Sequence, residues 1–298
     1  MGKLYTALIM LSLIWGTSFL FIKVLLDSLG PSAVVFGRCL FGMIFLGAVM
    51  LYRKEKLVPE RKYTGKIFAV GFMNNALPWL LISLGETKIS SSLASIINAT
   101  TPIWTLIIGF LFFSSILKKN HWIGIGLGFI GIIILSDIRP GEFLTGNTAG
   151  VLLMLGAALC YGAGTQLTKK HLTDLPVTHI SFYTLTAAAA VSFMIMVLLE
   201  PQSLLKLVRL ETIIPLLGLG SLGSGAAYLL FYYLVKEGSP EFASLVTYLV
   251  PVSAIVWGAM LLEESIHMSM LAGLAVIFLG VYISTAMERG KKKTKMAA

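Results

Sequence analysis

Charged residues are scarce in this sequence, and their scarcity excludes a large class of proteins. Of its 298 residues only 12% are Asp, Glu, Lys or Arg, whereas 57% are hydrophobic, and the mean hydropathy is +0.88. A soluble globular domain usually has about 25% charged residues, because these residues cover its surface. The composition therefore excludes a soluble protein and indicates an integral membrane protein.

Cysteines and catalytic motifs are also nearly absent. The two cysteines, Cys39 and Cys160, lie in separate hydrophobic stretches without the spacing of metal ligands, so we interpret them as small buried side chains. The sequence has no Walker motif, no H-E-x-x-H motif and no nucleophile elbow. A G-x-G-x-x-G match at 218–223 lies inside a hydrophobic stretch that no strand precedes. We therefore expect no enzyme, no cofactor and no metal site.

Ten hydrophobic stretches are long enough, or nearly so, to cross a bilayer as helices of about 20 residues. They lie at 4–25, 33–52, 66–84, 91–113, 121–138, 148–168, 178–199, 212–235, 241–262 and 269–287. The first is too long for a signal peptide and no cleavage site follows it, so we expect it to remain as a helix. The sequence thus predicts an all-α membrane protein with ten transmembrane helices.

Basic residues lie mostly in alternate loops. With the N-terminus placed in the cytoplasm, 17 of the 23 Lys and Arg residues fall on the cytoplasmic side, four on the outer side and two within helices. Because positive charge marks cytoplasmic loops, we predict a plasma-membrane protein with both termini in the cytoplasm. We interpret the basic tail at 289–298 as a topology signal beside anionic lipid rather than as a nucleic-acid-binding arm.

One pattern of residues occurs twice in the chain. The first copy comprises Ala94, Ser95, Pro102, Gly109, Gly124 and Gly131, and the second, 149 positions later, comprises Ala243, Ser244, Pro251, Gly258, Gly273 and Gly280. Nearer the start of each half, Trp15, Gly16 and Lys23 recur as Tyr161, Gly162 and Lys169 at an offset of 146. We therefore predict two repeats, at 1–140 and 146–288, followed by the tail.

Each predicted repeat contains five helices, so the second repeat must enter the membrane from the side opposite to the first. Inverted repeats of this kind are typical of secondary transporters, whose substrate site lies near the bilayer midplane between the two halves. Alternating access then exposes that site first to one side and then to the other.

The chain resembles the drug/metabolite transporter superfamily and, within it, the ten-helix EamA branch with two EamA repeats. The residues that carry the resemblance are Trp15-Gly16 followed by Lys23, the Ala-Ser…Pro patterns at 94–102 and 243–251, Leu262-Glu263-Glu264, and Gly273 followed by Gly280-Val281. The sequence departs from the family at Ser114-Ser115, where an acidic pair usually stands.

The resemblance implies an exporter of small metabolites, with amino acids or similar amphipathic solutes as the expected substrates. Two alternatives stay open: a multidrug pump for organic cations, which would need an acidic cavity, and a membrane scaffold without transport. Without an ATPase module, transport is expected to be downhill or weakly coupled to protons. The expected partners are a small-molecule substrate and the lipid bilayer, and a monomer suffices for a pathway.

Polar residues inside membrane helices cost free energy unless they have a partner or face a cavity. Several occupy equivalent positions in the two repeats, and we predict these as substrate-binding residues: Asn75 with Ser224, Trp79 with Tyr228, Asn98 with Thr247 and Trp15 with Tyr161, together with Thr101 and Tyr248. They predict a central cavity with amide and hydroxyl groups and aromatic walls. The alternative is packing between helices, where such groups contribute about 0.6 kcal/mol each.

The embedded charges and prolines have two interpretations each. Lys23 precedes Asp27 by four residues, so we predict an ion pair, although Lys23 could also line the outer vestibule. Arg38 needs a partner, which is either a substrate carboxylate or one of Asp27, Glu86 and Glu264; Glu264 is also a candidate proton site. Pro78, Pro102 and Pro251 are predicted either as hinges or as fixed kinks.

Overall fold

The computed structural model of the protein describes residues 2–114, 118–136 and 146–296, and within these ranges all regular secondary structure is helical. The helices are α1 (Gly2–Leu26), α2 (Pro31–Tyr52), α3 (Thr64–Gly71, Phe72–Ala76 and Leu77–Glu86), α4 (Ser91–Asn98 and Thr101–Phe112), α5 (Lys119–Ser136), α6 (Gly146–His171), α7 (Val177–Leu199), α8 (Leu210–Leu217, Gly218–Ala226 and Ala227–Glu237), α9 (Pro240–Ser244 and Val246–Leu261) and α10 (Met268–Met296). Short 3₁₀ turns at Arg61–Tyr63 and Pro201–Ser203 precede α3 and α8.

The helices of the described ranges match the ten spans expected from the sequence. Eight are long and apolar enough to cross a membrane, and α5 and α10 contain the shorter apolar helices Trp122–Gly131 and Met268–Gly280. The chain is therefore an all-helical membrane protein. Helix α10 continues to Met296, through most of the segment predicted as a separate tail, because Lys and Arg are good helix formers.

The two ends of the bundle need names for the description below. The near end is the end at which α1 begins, and the far end is the end at which α1 finishes and α2 begins. Charge bias predicts that the near end faces the cytoplasm.

Four of the helices in the described ranges are interrupted, in pairs that correspond between the repeats. The central part of α3, Phe72–Ala76, and that of α8, Gly218–Ala226, are π-helical. Helix α4 breaks at residues 99–100, immediately before Pro102, and α9 breaks at Leu245. Breaks of this kind free backbone carbonyls inside the membrane, where each must find another donor.

The contacts of two glycines show the inverted relation between the repeats. On α1, a Cβ added to Gly16 would overlap Ser253 and lie 3.3 Å from the backbone nitrogen of Ala254 on α9. On α6, a Cβ added to Gly162 would lie 2.9 Å from the carbonyl carbon of Trp104 and from the nitrogen of Thr105 on α4. Helix α1 therefore packs on α9 through the same positions by which α6 packs on α4.

Glycines also hold α5 against α10, and Gly124 and Gly131 belong to the duplicated pattern of the sequence. A Cβ on Gly280 would lie 2.8 Å from the carbonyl oxygen of Gly124, and one on Gly131 would lie 2.8 Å from that of Gly273. Backbone meets backbone at this crossing, so these glycines serve helix packing rather than substrate binding.

Candidate functional site

A narrow cavity of about 40 Å³ lies between the two repeats. Its lining comes from α1, α2, α3 and α4 of the first repeat and from α6, α8 and α9 of the second. The lining residues are Trp15, Ser18, Phe19, Ile22, Arg38, Trp79, Ile82, Asn98, Thr101, Tyr161, Thr165, Phe231, Ser244, Thr247 and Val250. None of these described residues is acidic.

Most residues that line the cavity have a repeat equivalent that also lines it. Five pairs of lining residues occupy equivalent positions: Trp15 with Tyr161, Phe19 with Thr165, Ile82 with Phe231, Asn98 with Thr247, and Thr101 with Val250. A solute in this space would contact both halves of the protein at once. Such a location is the one at which a relative movement of the halves could change access to the site.

Trp15 and Trp79 of the first repeat and Tyr161 of the second form one aromatic wall, and both tryptophans pack on Tyr228, which is buried outside the lining. The Trp79 ring packs edge-on against Tyr228, its repeat equivalent, with ring centroids 5.4 Å apart. Trp15 packs on the same tyrosine at 5.7 Å, and its equivalent Tyr161 is hydrogen-bonded to Trp79. These tilted and edge-on contacts are favourable for aromatic rings and keep the wall rigid.

The helix interruptions hold this wall in place. Pro78 has no backbone N–H, so the carbonyl of Asn74 loses its helical donor, and the Tyr228 hydroxyl donates to that carbonyl at 2.9 Å. In the π-helical part of α8, the Trp15 indole N–H donates to the carbonyl of Gly223 at 3.0 Å. Gly223 is the repeat equivalent of Asn74. Both freed carbonyls thus orient an aromatic residue from another helix.

The polar part of the lining lies near the helix breaks of α4 and α9. Within α4 the Thr101 hydroxyl donates to the Asn98 carbonyl at 2.7 Å, and within α9 the Thr247 hydroxyl donates to the Ser244 carbonyl at 2.8 Å. The side-chain oxygen of Asn98 has no hydrogen-bond donor among the described residues. An unsatisfied amide of this kind is able to bind a polar group of a solute.

Arg38 supplies the one cationic side chain of the described lining. Its Nε donates to the Ser224 hydroxyl at 3.0 Å, and its Cζ lies 3.6 Å from the centroid of the Trp79 ring. The side chain is buried, with 4% of its surface exposed. The ion pairs predicted with Asp27, Glu86 or Glu264 do not form, since no carboxylate among the described residues lies within 4.0 Å of it. A hydroxyl and an aromatic face take the place of the acid.

Lys23 also differs from the prediction. Its ammonium group donates to the backbone carbonyls of Glu86 at 2.7 Å and Ile89 at 3.1 Å, at the far end of α3, and forms no ion pair with Asp27. Lys169, the repeat equivalent, donates in the same way to Val235 and Lys236 at the near end of α8. The last carbonyls of a helix lack intrahelical donors and carry partial negative charge, so they attract these lysines more strongly than an exposed aspartate does.

Glutamates from the second repeat bind helix N-termini of the first repeat at the far end. The Glu264 carboxylate accepts from the backbone nitrogens of Ser91 at 2.9 Å and Ser92 at 3.1 Å, and also from both serine hydroxyls. Glu200 accepts from the nitrogens of Ser32 and Ala33 at the start of α2. These carboxylates satisfy free N–H groups and complement the helix dipoles. At the near end Glu55 accepts a hydrogen bond from the side-chain hydroxyl of Thr178 on α7 at 2.8 Å.

The predicted site residues divide into three groups. Trp15, Trp79, Asn98, Thr101, Tyr161 and Thr247 line the cavity together with Arg38. Asn75, Ser224 and Tyr228 are buried but do not line it, and the side chain of Tyr248 lies outside the described residues. Asn75 and Ser224 belong to the π-helical segments, whose extra residue per turn changes the direction of the side chains.

Sequence reasoning missed several lining residues. Ser18, Phe19, Ile22, Ile82, Thr165, Phe231 and Val250 also face the cavity. The repeat offsets could have linked Ile82 with Phe231, and Phe19 with Thr165, but an apolar residue in a membrane helix gives no sign that it faces a cavity. Pro102 lies in the first turn of its helix, where proline causes no kink, whereas Pro251 lies inside a helix.

Comparison with models of known protein families shows to which family the chain belongs. The model of the EamA-like transporter family matches residues 3–137 and again 148–286. The chain belongs to the EamA-like transporter family. The two matches of this EamA protein follow one another along the chain, as expected for two repeats of one unit.

Relatives of this EamA transporter cover almost its whole length. The uncharacterized inner membrane transporter YedA of Escherichia coli is 29% identical over 283 residues, which are 95% of this chain and 90% of YedA. The protein PecM of Dickeya dadantii is 23% identical, over 91% of this chain and 88% of PecM. A solved crystal structure of a protein 18% identical in sequence covers 97% of this chain and 98% of its own, with a TM-score of 0.75, and shows the same fold.

Family and structure together make this chain a multi-pass membrane transporter. Its substrate is a small molecule, and its surroundings are the lipid bilayer. The relatives are named as transporters, which is consistent with a protein that is not an enzyme.

Proposed function

We propose that this EamA transporter exports amino acids or closely related amphipathic metabolites, by alternating access through the central cavity. The observation that carries the proposal is the composition of the cavity. Equivalent positions of the two repeats line it, and they combine aromatic walls, hydroxyl and amide groups and one buried cation. This combination suits a small solute that has both an apolar part and polar groups.

Access is proposed to change through contacts at the two ends of the bundle. At the far end, Glu264 and Glu200 join loops of the second repeat to helices of the first. At the near end, Glu55 joins the first repeat to α7. Breaking one set while the other forms would expose the cavity to one side at a time. The charge bias supports cytoplasmic termini, so the near end is proposed to receive the solute.

Whether transport is coupled to protons depends on the acidic residues near the route of the solute. No acidic residue is among the described residues that line the cavity, so direct exchange of a proton for the solute lacks a carrier there. We therefore propose downhill export or weak coupling to protons. Glu264 is the candidate peripheral proton site, since it links the two repeats at the far end.

A pump for organic cations is the alternative within the same fold. Such a pump binds its substrate through an acidic cavity, whereas the described lining of this cavity has a buried arginine. A lipophilic cation placed beside Arg38 would meet repulsion in a medium of low dielectric constant. The charge of the cavity therefore supports metabolite export over cation export.

The test is efflux from proteoliposomes loaded with a mixed pool of labelled amino acids, with and without an imposed pH gradient. We expect saturable efflux from the wild type and a decrease of about 5- to 10-fold in Asn98→Ala, as is expected for the loss of a hydrogen bond worth about 1 kcal/mol. Asn120→Ala, at the start of α5, is the matched control and should keep wild-type efflux.

Three results would contradict the proposal. Efflux of an organic cation with no amino-acid efflux would favour the multidrug pump. Equal efflux in Asn98→Ala and the wild type would exclude Asn98 from the route. No saturable flux of any solute would favour the scaffold.

A further inference from the structure

We infer that Arg38 is a carboxylate-binding subsite within the cavity, and that the transported solutes carry a carboxylate group. This inference rests on the proposed function and specifies the chemistry of its substrates. The protein itself supplies no acidic partner for this arginine among its described residues.

The hydrogen-bonding capacity of Arg38 is mostly unused. A guanidinium group has five N–H donors, and in the described structure only the Nε–H is engaged, by the Ser224 hydroxyl at 3.0 Å. Arg38 is almost completely buried, with only 4% of its surface exposed, and it nevertheless lines the cavity. A buried cation is costly unless an anion or several acceptors compensate it, so a charge kept in this position indicates a bound anion during the cycle.

The orientation of the guanidinium is fixed before any solute arrives. Its Cζ lies 3.6 Å from the centroid of the Trp79 ring, and Ser224 holds the Nε edge. Ser224 is itself held, because its hydroxyl donates to the carbonyl of Leu219 at 3.1 Å within the π-helical segment of α8. The two terminal nitrogens remain as a planar fork, which is the geometry that binds a carboxylate through two parallel hydrogen bonds.

Close packing between α2 and α8 keeps this fork in place. A Cβ added to Gly220 would lie 2.5 Å from the Cβ of Phe41 and 3.0 Å from the carbonyl oxygen of Arg38 itself. A Cβ added to Gly42 would lie 3.0 Å from the carbonyl oxygen of Gly220. The backbone that carries Arg38 is thus pressed against the helix that carries Ser224.

Arg38 also breaks the repeat symmetry of the cavity. Its equivalent at the offset of 146 is Thr184, a neutral residue that contacts the Tyr232 hydroxyl. The described lining therefore has one positive charge at the α2 side and neutral amide and hydroxyl groups around Asn98 and Thr247. A single guanidinium matches a monoanionic carboxylate better than a phosphate dianion, which would bring one uncompensated negative charge into the membrane.

Glu86 is the strongest internal competitor for Arg38. Its carboxylate is fully buried, and neither oxygen has a hydrogen-bond donor among the described residues. The charged groups that act on it are Lys23, Glu264 and Arg38, but Lys23 donates to its backbone carbonyl and Glu264 is engaged by Ser91 and Ser92. In another conformation Arg38 could instead pair with Glu86. The experiment must therefore distinguish that internal ion pair from binding of a substrate carboxylate.

The experiment compares competitors that differ only in the carboxylate. L-leucine and L-leucinamide share a side chain and an α-amino group, and each is tested as an inhibitor of labelled amino-acid counterflow and as a quencher of tryptophan fluorescence in purified protein. We expect leucine to act at concentrations at least about 10-fold lower than leucinamide, as is typical when a site loses a charge-assisted hydrogen-bonding partner. This comparison uses the wild-type protein and does not depend on the folding of a variant.

Three variants then assign the preference to Arg38. Arg38→Gln should reduce the ratio between leucine and leucinamide to about 1, whereas Arg38→Lys, which keeps the charge but loses the planar fork, should retain part of it. Glu86→Gln and the exposed control Arg53→Gln should both keep the wild-type ratio.

Three outcomes would overturn the inference. The wild type could treat the acid and the amide alike, or a folded Arg38→Gln variant could still prefer the acid. Loss of the preference in Glu86→Gln as well would assign Arg38 to Glu86 instead. Transport without a carboxylate preference contradicts only this inference. Carboxylate-dependent quenching without flux contradicts only the proposed function.

Discussion

Replacing Glu264 with glutamine is expected to loosen the far end of the bundle and expose the start of α4. The carboxylate accepts from two backbone nitrogens and two hydroxyls of Ser91 and Ser92, at the positive end of the helix dipole. A neutral glutamine amide keeps the shape of the side chain but loses its charge. Its NH₂ group, itself a donor, would also face the N–H and O–H donors of Ser91 and Ser92. Since hydrogen bonds to charged groups contribute about 1.5–3 kcal/mol and neutral ones about 1, we expect a loss of about 2–3 kcal/mol.

This loss should appear as faster amide hydrogen exchange in residues 91–98, by about 30- to 150-fold, because each 1.4 kcal/mol is a factor of ten. The matched control is Glu263→Gln, which alters an exposed acid at the preceding position, where φ is 55°. Exchange should be unchanged in that variant. Equal exchange in Glu264→Gln and the wild type would show that the Glu264 contacts do not hold the far end closed.

A valine at position 16 should destabilise the contact between α1 and α9. The added Cβ would overlap the Ser253 hydroxyl and lie 2.7 Å from its Cβ and 3.3 Å from the nitrogen of Ala254, so rotation of the serine cannot relieve the clash. Overpacking of this kind costs about 1–3 kcal/mol, and more where backbone must move. The measurement is thermal unfolding of the purified protein in detergent.

Gly126 on α5 provides the control, because a Cβ there meets no atom within 4 Å. Gly126→Val should unfold at the temperature of the wild type. If Gly16→Val and Gly126→Val were equally stable, the close packing of α1 on α9, and with it the inverted correspondence to Gly162 and α4, would be wrong.

The fold could be predicted from the sequence because its two strongest signals, hydrophobic length and internal repetition, each extend over many residues. Hydrophobic length determines the spans, and a constant offset of 149 between Pro102 and Pro251 reveals a duplicated unit. The same offset links Trp79 with Tyr228, whose rings are in contact, and Asn98 with Thr247, which both line the cavity. Equivalent positions share an environment because the repeats fold alike.

The partners of charged residues could not be predicted from side-chain spacing. The four-residue spacing predicts that Lys23 pairs with Asp27, yet the Lys23 ammonium binds backbone carbonyls that the end of α3 leaves free. Backbone acceptors are present at every position of a sequence and therefore carry no pattern. In the same way, a π-helical segment rotated Asn75 away from the cavity, and no local motif in Phe72–Ala76 indicates that change of period.

Access to Asn98 from both sides of the membrane is the measurement that tests alternating access most directly. Asn98→Cys in a background without Cys39 and Cys160 places one thiol in the cavity lining. Membrane-impermeant thiol reagents are then applied to sealed vesicles of either orientation, with and without a transported amino acid. We predict labelling from each side, and protection by the amino acid in both orientations. Labelling from one side alone, or labelling that no amino acid prevents, would contradict a central cavity that opens alternately to the two sides.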